Sequence, residues 1–181
     1  MVRDGFPQRR SIRLKEYDYS QRGMYFVTIC TQDRRCLFGE VVDGNMKLNE
    51  IGNIVKNEWV KLPKRFLNTE MGSFIIMPNH VHGIIIVGAP LAGARVNDNY
   101  GGKNRATARV APTHIGNIIG AYKSSVYNSC LHIYKNNDSF LGKIWQRNYY
   151  EHIVRDEGDL NRIQEYIHNN PINWEQDELF V

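Results

Sequence analysis

Two histidines one residue apart, His80 and His82, stand at the head of the β-branched run Ile84-Ile85-Ile86-Val87. Such a run is too short for a helix and suits a buried strand. Strand side chains alternate faces, so both imidazoles point the same way, about 7 Å apart along the strand. That placement suits a shared metal ion or an anion. Near the C-terminus, Tyr166 and Asn170 are four residues apart on a helical segment and share one of its faces. They fall beside the apolar stripe Leu160, Ile163 and Ile167. Once that stripe packs on a sheet, a phenol and an amide oxygen face whatever the histidines hold.

After Arg22-Gly23, residues 25–31 (YFVTICT) have strong strand propensity. A second strand over 37–42 ends in Asp43-Gly44, a strong hairpin turn signal. Leu48, Ile51, Ile54, Val55, Trp59 and Leu62 mark one face of an amphipathic helix that Pro63 stops. Residues 74–77 form a strand joined to the histidine strand by Pro78-Asn79, a connection tight enough for an antiparallel hairpin. Thr113 is placed to cap a helix bearing Ile115, Ile118, Ile119, Tyr122 and Val126. On its polar side, Lys123, Ser124 and Ser125 suit phosphate contacts. Residues 144–154 read as an aromatic strand, and Asp156 caps the final helix, which Asn170-Pro171 ends.

The 181 residues are expected to form one domain over 1–181, with a basic N-terminal arm over 1–22 and a flexible insertion loop over 88–112. Apolar content of 42% and charged content of 23% suit a soluble globular chain. No apolar stretch approaches the roughly 20 residues of a membrane span, and the polar, basic N-terminus lacks a signal-peptide core. A cytoplasmic location is therefore expected, with no membrane partner. Three cysteines, Cys30, Cys36 and Cys130, show no zinc-site spacing and are expected reduced. Twenty-three Lys and Arg against nineteen Asp and Glu give a net charge of +4, compatible with nucleic acid. In the arm, Arg9, Arg10, Arg13 and Lys15 precede Tyr17 and Tyr19, a mixture suited to a nucleic-acid backbone with stacked bases.

His80-Val81-His82 after Pro78-Asn79, followed by a late helix reading Tyr166-Ile167-His168-Asn169-Asn170-Pro171, resembles the single-tyrosine HUH transposases of bacterial insertion sequences. Among these it resembles the REP-associated tyrosine transposases most. Segments 9–14 (RRSIRL), 25–31 and 145–152 (WQRNYYEH) are similar to that family as well. The resemblance covers nearly the whole chain except 88–112. It implies an α+β, ferredoxin-like (RRM-like) domain, an antiparallel sheet with helices packed on it. It also implies His80 and His82 as a metal pair, Asn170 as a third ligand, Tyr166 as nucleophile, Mg2+ or Mn2+ as the ion, and single-stranded DNA beside a hairpin as substrate. His168 competes with Asn170 but points about 200° away from Tyr166 around the helix. Tyr150, beside Glu151 and His152, is the runner-up nucleophile.

That chemistry is coherent on its own terms. A tyrosine phenol, pKa about 10, is a poor nucleophile until a cation favours the phenolate or polarises the phosphate. A divalent ion on two histidines and an amide serves both needs. The expected activity is metal-dependent cleavage and rejoining of single-stranded DNA through a phosphotyrosine. The alternatives are a catalytically idle module of the same fold that binds hairpin DNA or RNA, and a metal-dependent hydrolase of small phosphoesters. Oligomeric state, monomer or homodimer, stays open, as does whether Tyr166 meets the histidines of its own chain.

Overall fold

The structure, a computed structural model, describes residues 22–88, 114–136 and 142–181. Its elements are β1 (Gly23–Cys30), β2 (Gly39–Val42), β3 (Asn45–Leu48), α1 (Glu50–Val60), α2 (Leu62–Arg65), β4 (Thr69–Ile76), β5 (His80–Val87), α3 (Ile115–Asn136), β6 (Tyr150–Val154) and α4 (Glu157–Asn169). Four strands form one sheet in the order β4-β5-β1-β6, every neighbouring pair antiparallel. The route from β1 through α1 to β4 leaves a gap that β5 fills, and the route from β5 through α3 to β6 leaves one that β1 fills. This interleaving of two split βαβ units is the ferredoxin-like arrangement. The fold is α+β, with helices packed on an antiparallel sheet.

Alternation along the two central strands divides the side chains between two faces. Tyr25, Val27 and Ile29 of β1 and Val81, Ile85 and Val87 of β5 meet Val55 and Trp59 of α1 and Ile118, Ile119, Tyr122 and Val126 of α3. Phe26, Ile84 and Val154 face the other way and pack on Ile167 of α4, flanked by Leu160 and Ile163. Thr28 pairs with His82 on one side and with Tyr150 on the other, so these three share the α4 face. One sheet thus carries an apolar core on one side. On the other it carries a smaller core with polar groups at its end.

Gly83, directly after the histidines, lets Trp59 lie against β5. A Cβ there would come within 2.8 Å of Trp59 Cη2 and 3.1 Å of Phe74 Cβ. At the β2–β3 turn, Asp43 and Gly44 both adopt positive φ, 50° and 69°, the pair of values a tight two-residue hairpin requires.

Several boundaries differ from the sequence expectation. β3 takes Leu48, which the helical pattern had claimed, because Met46 and Leu48 also alternate as a strand. α1 ends at Val60, and Pro63 opens the separate turn α2, where its missing N–H costs nothing. The strand expected over 144–154 is regular only as β6; before it, Trp145 forms an isolated bridge to Thr31. Asp156 caps α4 as expected, accepting from the Asp159 N–H at 2.8 Å. Cys30, Cys36 and Cys130 are free thiols. Among the described residues no helix is long and apolar enough to cross a membrane. The basic arm with Arg9, Arg10, Arg13 and Lys15, the loop over 88–112 and the Thr113 cap fall almost wholly outside the described residues.

Candidate active site

β5 delivers the two histidines, and the register with β1 sets His82 opposite Thr28 and His80 opposite Cys30. Both imidazoles are buried, His80 at 0% and His82 at 2% exposure. Their ring centroids are 4.4 Å apart, closer than strand spacing alone suggests, because the rings lean together. Each Nδ1 has a partner. His82 Nδ1 lies 2.9 Å from Thr28 Oγ1, and His80 Nδ1 lies 2.8 Å from Asn79 Oδ1.

α4 brings in the second half of the site. Packing of Ile167 on the sheet turns Asn170 inward and leaves Tyr166 at the rim, 45% exposed. The Tyr166 hydroxyl lies 3.1 Å from His82 Nε2, so phenol and imidazole of one chain meet directly. Phe26 supports this contact, stacking on the His82 ring and meeting the Tyr166 ring edge-on at 6.2 Å. His168 is exposed, away from the cluster. Tyr150 lies on β6, 48% exposed, and shares the groove that Tyr166 borders.

After α4 the chain turns back under the site and contributes Asp177, a residue that no motif or periodicity marks. Its Oδ2 accepts from Asn170 Nδ2 at 2.8 Å and lies 3.4 Å from the Tyr166 hydroxyl. Its Oδ1 accepts from the Leu179 N–H at 2.7 Å. The segment is anchored by Asn79 Nδ2 donating to the Leu179 carbonyl and by Arg34 donating to that of Glu178. Trp174 packs on His80 with ring centroids 5.8 Å apart.

Ligand atoms of His80, His82 and Asp177 all lie within 4.8 Å of one another, a group that could hold a metal ion. The local chemistry fits such an ion. Among the described residues His80 Nε2 and Asn170 Oδ1 are buried without a hydrogen-bond partner, a state that costs roughly 1–3 kcal/mol per group unless something satisfies it. A cation held there by His80, His82 and Asp177 would leave neither atom unsatisfied. Burial drives the His80 pKa down to about 4, against the partial opposition of the Asp177 charge and of nearby Asn170. Burial, and then His80, also holds His82 well below its ordinary value. Both imidazoles are therefore neutral at pH 7, the form that ligates. Burial foremost, then the Asp177 charge, pushes the Tyr166 phenol up to about 12.

Lys123, Ser124 and Ser125, expected to meet phosphate, lie on α3. Ser124 is exposed on α3. Lys123 beside it turns its ammonium inward, donating to the carbonyls of Gln146, Arg147 and Asn148 at 2.9, 3.3 and 3.0 Å. Its donors hold protein backbone, a use that composition could not distinguish from phosphate binding.

No protein-family model matches the chain. An uncharacterised protein of Haemophilus influenzae is 44% identical over 180 residues, covering 98% of this chain and 96% of the relative. A second protein of that organism, named "Putative REP-associated tyrosine transposase", is 26% identical over 156 residues, covering 86% of this chain and 73% of the relative. The solved structure of a REP-associated tyrosine transposase bound to a REP hairpin shares the fold, with a TM-score of 0.56 at 17% identity over 92% of this chain and 77% of that one. The chain therefore belongs to one family with the uncharacterised Haemophilus influenzae protein, and in sequence and fold it resembles the REP-associated tyrosine transposases.

Proposed function

We propose that this protein cleaves and rejoins single-stranded DNA beside a hairpin, through a covalent phosphotyrosine on Tyr166. One observation carries the reading: the Tyr166 hydroxyl sits 3.1 Å from His82 Nε2, at the edge of a cluster suited to a cation. His80, His82 and Asp177 would hold a divalent ion, with Asn170 Oδ1 as a further oxygen. Of Mg2+ and Mn2+, the imidazoles favour Mn2+. When bound, such an ion supplies positive charge to the phosphoryl oxygens of the strand being cut.

The chain's own residues do the rest. Phe26 and His82 fix the Tyr166 ring, so little rotational freedom remains to be lost when a phosphate arrives. Its raised pKa keeps the phenol protonated at rest, and its partial exposure gives the proton a route to water. The phenolic oxygen bonds to phosphorus, the bond from phosphorus to the 3′-oxygen breaks, and that oxygen takes up a proton to become a free 3′-hydroxyl. The phosphotyrosine retains the energy of the broken bond, so another 3′-hydroxyl can attack it, release Tyr166 and join the strands. Arg9, Arg10, Arg13 and Lys15 are assigned to the DNA backbone, with Ser124 on the exposed side of α3. Such a substrate places the protein in the cytoplasm.

The test is incubation with a pool of labelled hairpin-bearing single strands and Mn2+, resolved on a denaturing gel. A slow-migrating protein–DNA species that chelator prevents is expected. Tight binding with no such species would contradict the proposal and favour the binding-module reading.

A further inference from the structure

A groove of about 720 Å3 opens beside Tyr166, within the roughly 300–1,000 Å3 range of ligand pockets. Phe26, Thr28 and Cys30 of β1 lie along it. Gln146, Asn148 and Tyr150 line it, as do Asp177 and Glu178. The metal cluster does not require the Gln146, Asn148 and Tyr150 wall, and phosphoryl transfer assigns it no role.

We infer that this groove holds one unpaired nucleobase next to the scissile phosphate, stacked on Tyr150 and read by the amides of Gln146 and Asn148. The inference rests on the DNA reading above and deepens it. Tyr150 presents a half-exposed ring on the sheet face shared with His82, across β1 from it. A flat aromatic surface beside a strand-cleaving site suits a base. Each amide offers both a donor and an acceptor, the combination that base edges require. Among the described residues neither side chain has a hydrogen-bond partner, so both are available.

Charge decides against a phosphate in the same place. Gln146 and Asn148 are neutral, while Glu178 brings an acidic group to the groove. The Lys123 ammonium is spent on the backbone of the wall. That use serves the pocket instead: by gripping three consecutive carbonyls, Lys123 holds the 146–148 segment in shape before any ligand arrives. The Gln146 N–H adds a bond to the Cys30 carbonyl at 3.0 Å, fixing the wall to β1. Lys123 is thus a positioning residue, and its effect on DNA passes through the loop.

The test is a binding measurement in a Tyr166→Phe background, where no strand can be cut. A labelled hairpin with a single-stranded flank is titrated by anisotropy, with each flank nucleotide replaced in turn by an abasic site. One position is expected to lose about five- to 150-fold in affinity, the range for one stacked base. Tyr150→Ala should lose a similar amount on intact DNA and nothing further on the abasic strand, while Tyr150→Phe keeps the affinity. Gln146→Ala and Asn148→Ala should flatten the preference among the four bases at that position only, and Lys123→Met should weaken that preference without abolishing stacking. Thermal melting identifies any variant that fails to fold, and Tyr150→Leu then replaces Tyr150→Ala. Losses that simply add, or below twofold at every position, would overturn the pocket. A covalent adduct without this coupling removes the pocket and spares the enzyme; coupling without an adduct does the reverse.

Discussion

Asn79 and His80, neighbours in the chain, are joined side chain to side chain by a 2.8 Å hydrogen bond that sets the proton on the imidazole. Asn79 spends its Nδ2 on the carbonyls of Arg34 and Leu179, at 3.1 and 2.8 Å, so its Oδ1 must be the atom facing His80. An oxygen there accepts, so Nδ1 carries the hydrogen and Nε2 is left with a bare lone pair. Thr28 can hold His82 in the same tautomer. These are the outer partners that orient imidazoles for a metal.

Asn79→Ala should therefore weaken Mn2+ binding by about 10- to 100-fold while His80 itself remains. Calorimetric titration with Mn2+ checks this, and affinity equal to the parent's would show that Asn79 does not orient His80 for metal.

The cation should stabilise the fold. An ion at 100 times its Kd contributes about 2.7 kcal/mol, which for a chain of this length raises Tm by about 5–10 °C. His80→Ala should abolish that rise. Because His80 is fully buried, the variant should also melt below the parent without metal, by about 1–3 kcal/mol of lost stability. Calorimetric scans with and without Mn2+ decide both points.

Asp159 links β6 to the first turn of α4, accepting from His152 Nε2 at 2.8 Å. The His152 hydrogen bond, aided by the Arg155 N–H and nearby charges, holds the Asp159 carboxyl below its ordinary value of 3.8. Its folded pKa is thus lower than its unfolded one. The contribution is full above 3.8 and lost as pH falls through the depressed value. Asp159→Asn should be less stable than the parent at pH 6, with the gap closing as the pH drops below that range. Urea unfolding at several pH values measures the gap, and a constant gap would contradict it.

Gly83→Ala should cost about 1–3 kcal/mol or more, because the added methyl meets the Trp59 ring and the Phe74 Cβ. The readout is the urea midpoint, and a silent substitution would mean that Trp59 can move aside.

The pairing of His80 with His82, and of Tyr166 with Asn170, was legible because strand and helix periods fix which residues share a face. The ferredoxin-like order was expected from the family resemblance, and strand and helix order agreed with it. Asp177 was not legible. It lies in a short polar tail (EQDE) whose path depends on Asn79 and Arg34, more than 90 residues earlier. The depth at which the histidines lie was not legible either, since alternation names a face but not how deeply Trp174 and α4 cover it. Lys123 shows the same limit: its partners are backbone carbonyls, which carry no sequence signature.

In the proposed reaction the Tyr166 oxygen becomes bonded to DNA. Its ring packs on Phe26 and His82, and Tyr166→Phe keeps that packing while removing only the hydroxyl. Stability should change by about 1 kcal/mol, the worth of one hydrogen bond, and DNA binding should persist. The deciding measurement is mass spectrometry of the nuclease-trimmed peptide from the trapped adduct, made with the parent protein and with Tyr166→Phe. A nucleotide on Tyr166 in the parent and no adduct in the variant are expected; a nucleotide on Tyr150, or an adduct surviving in Tyr166→Phe, would rule out Tyr166 as the nucleophile.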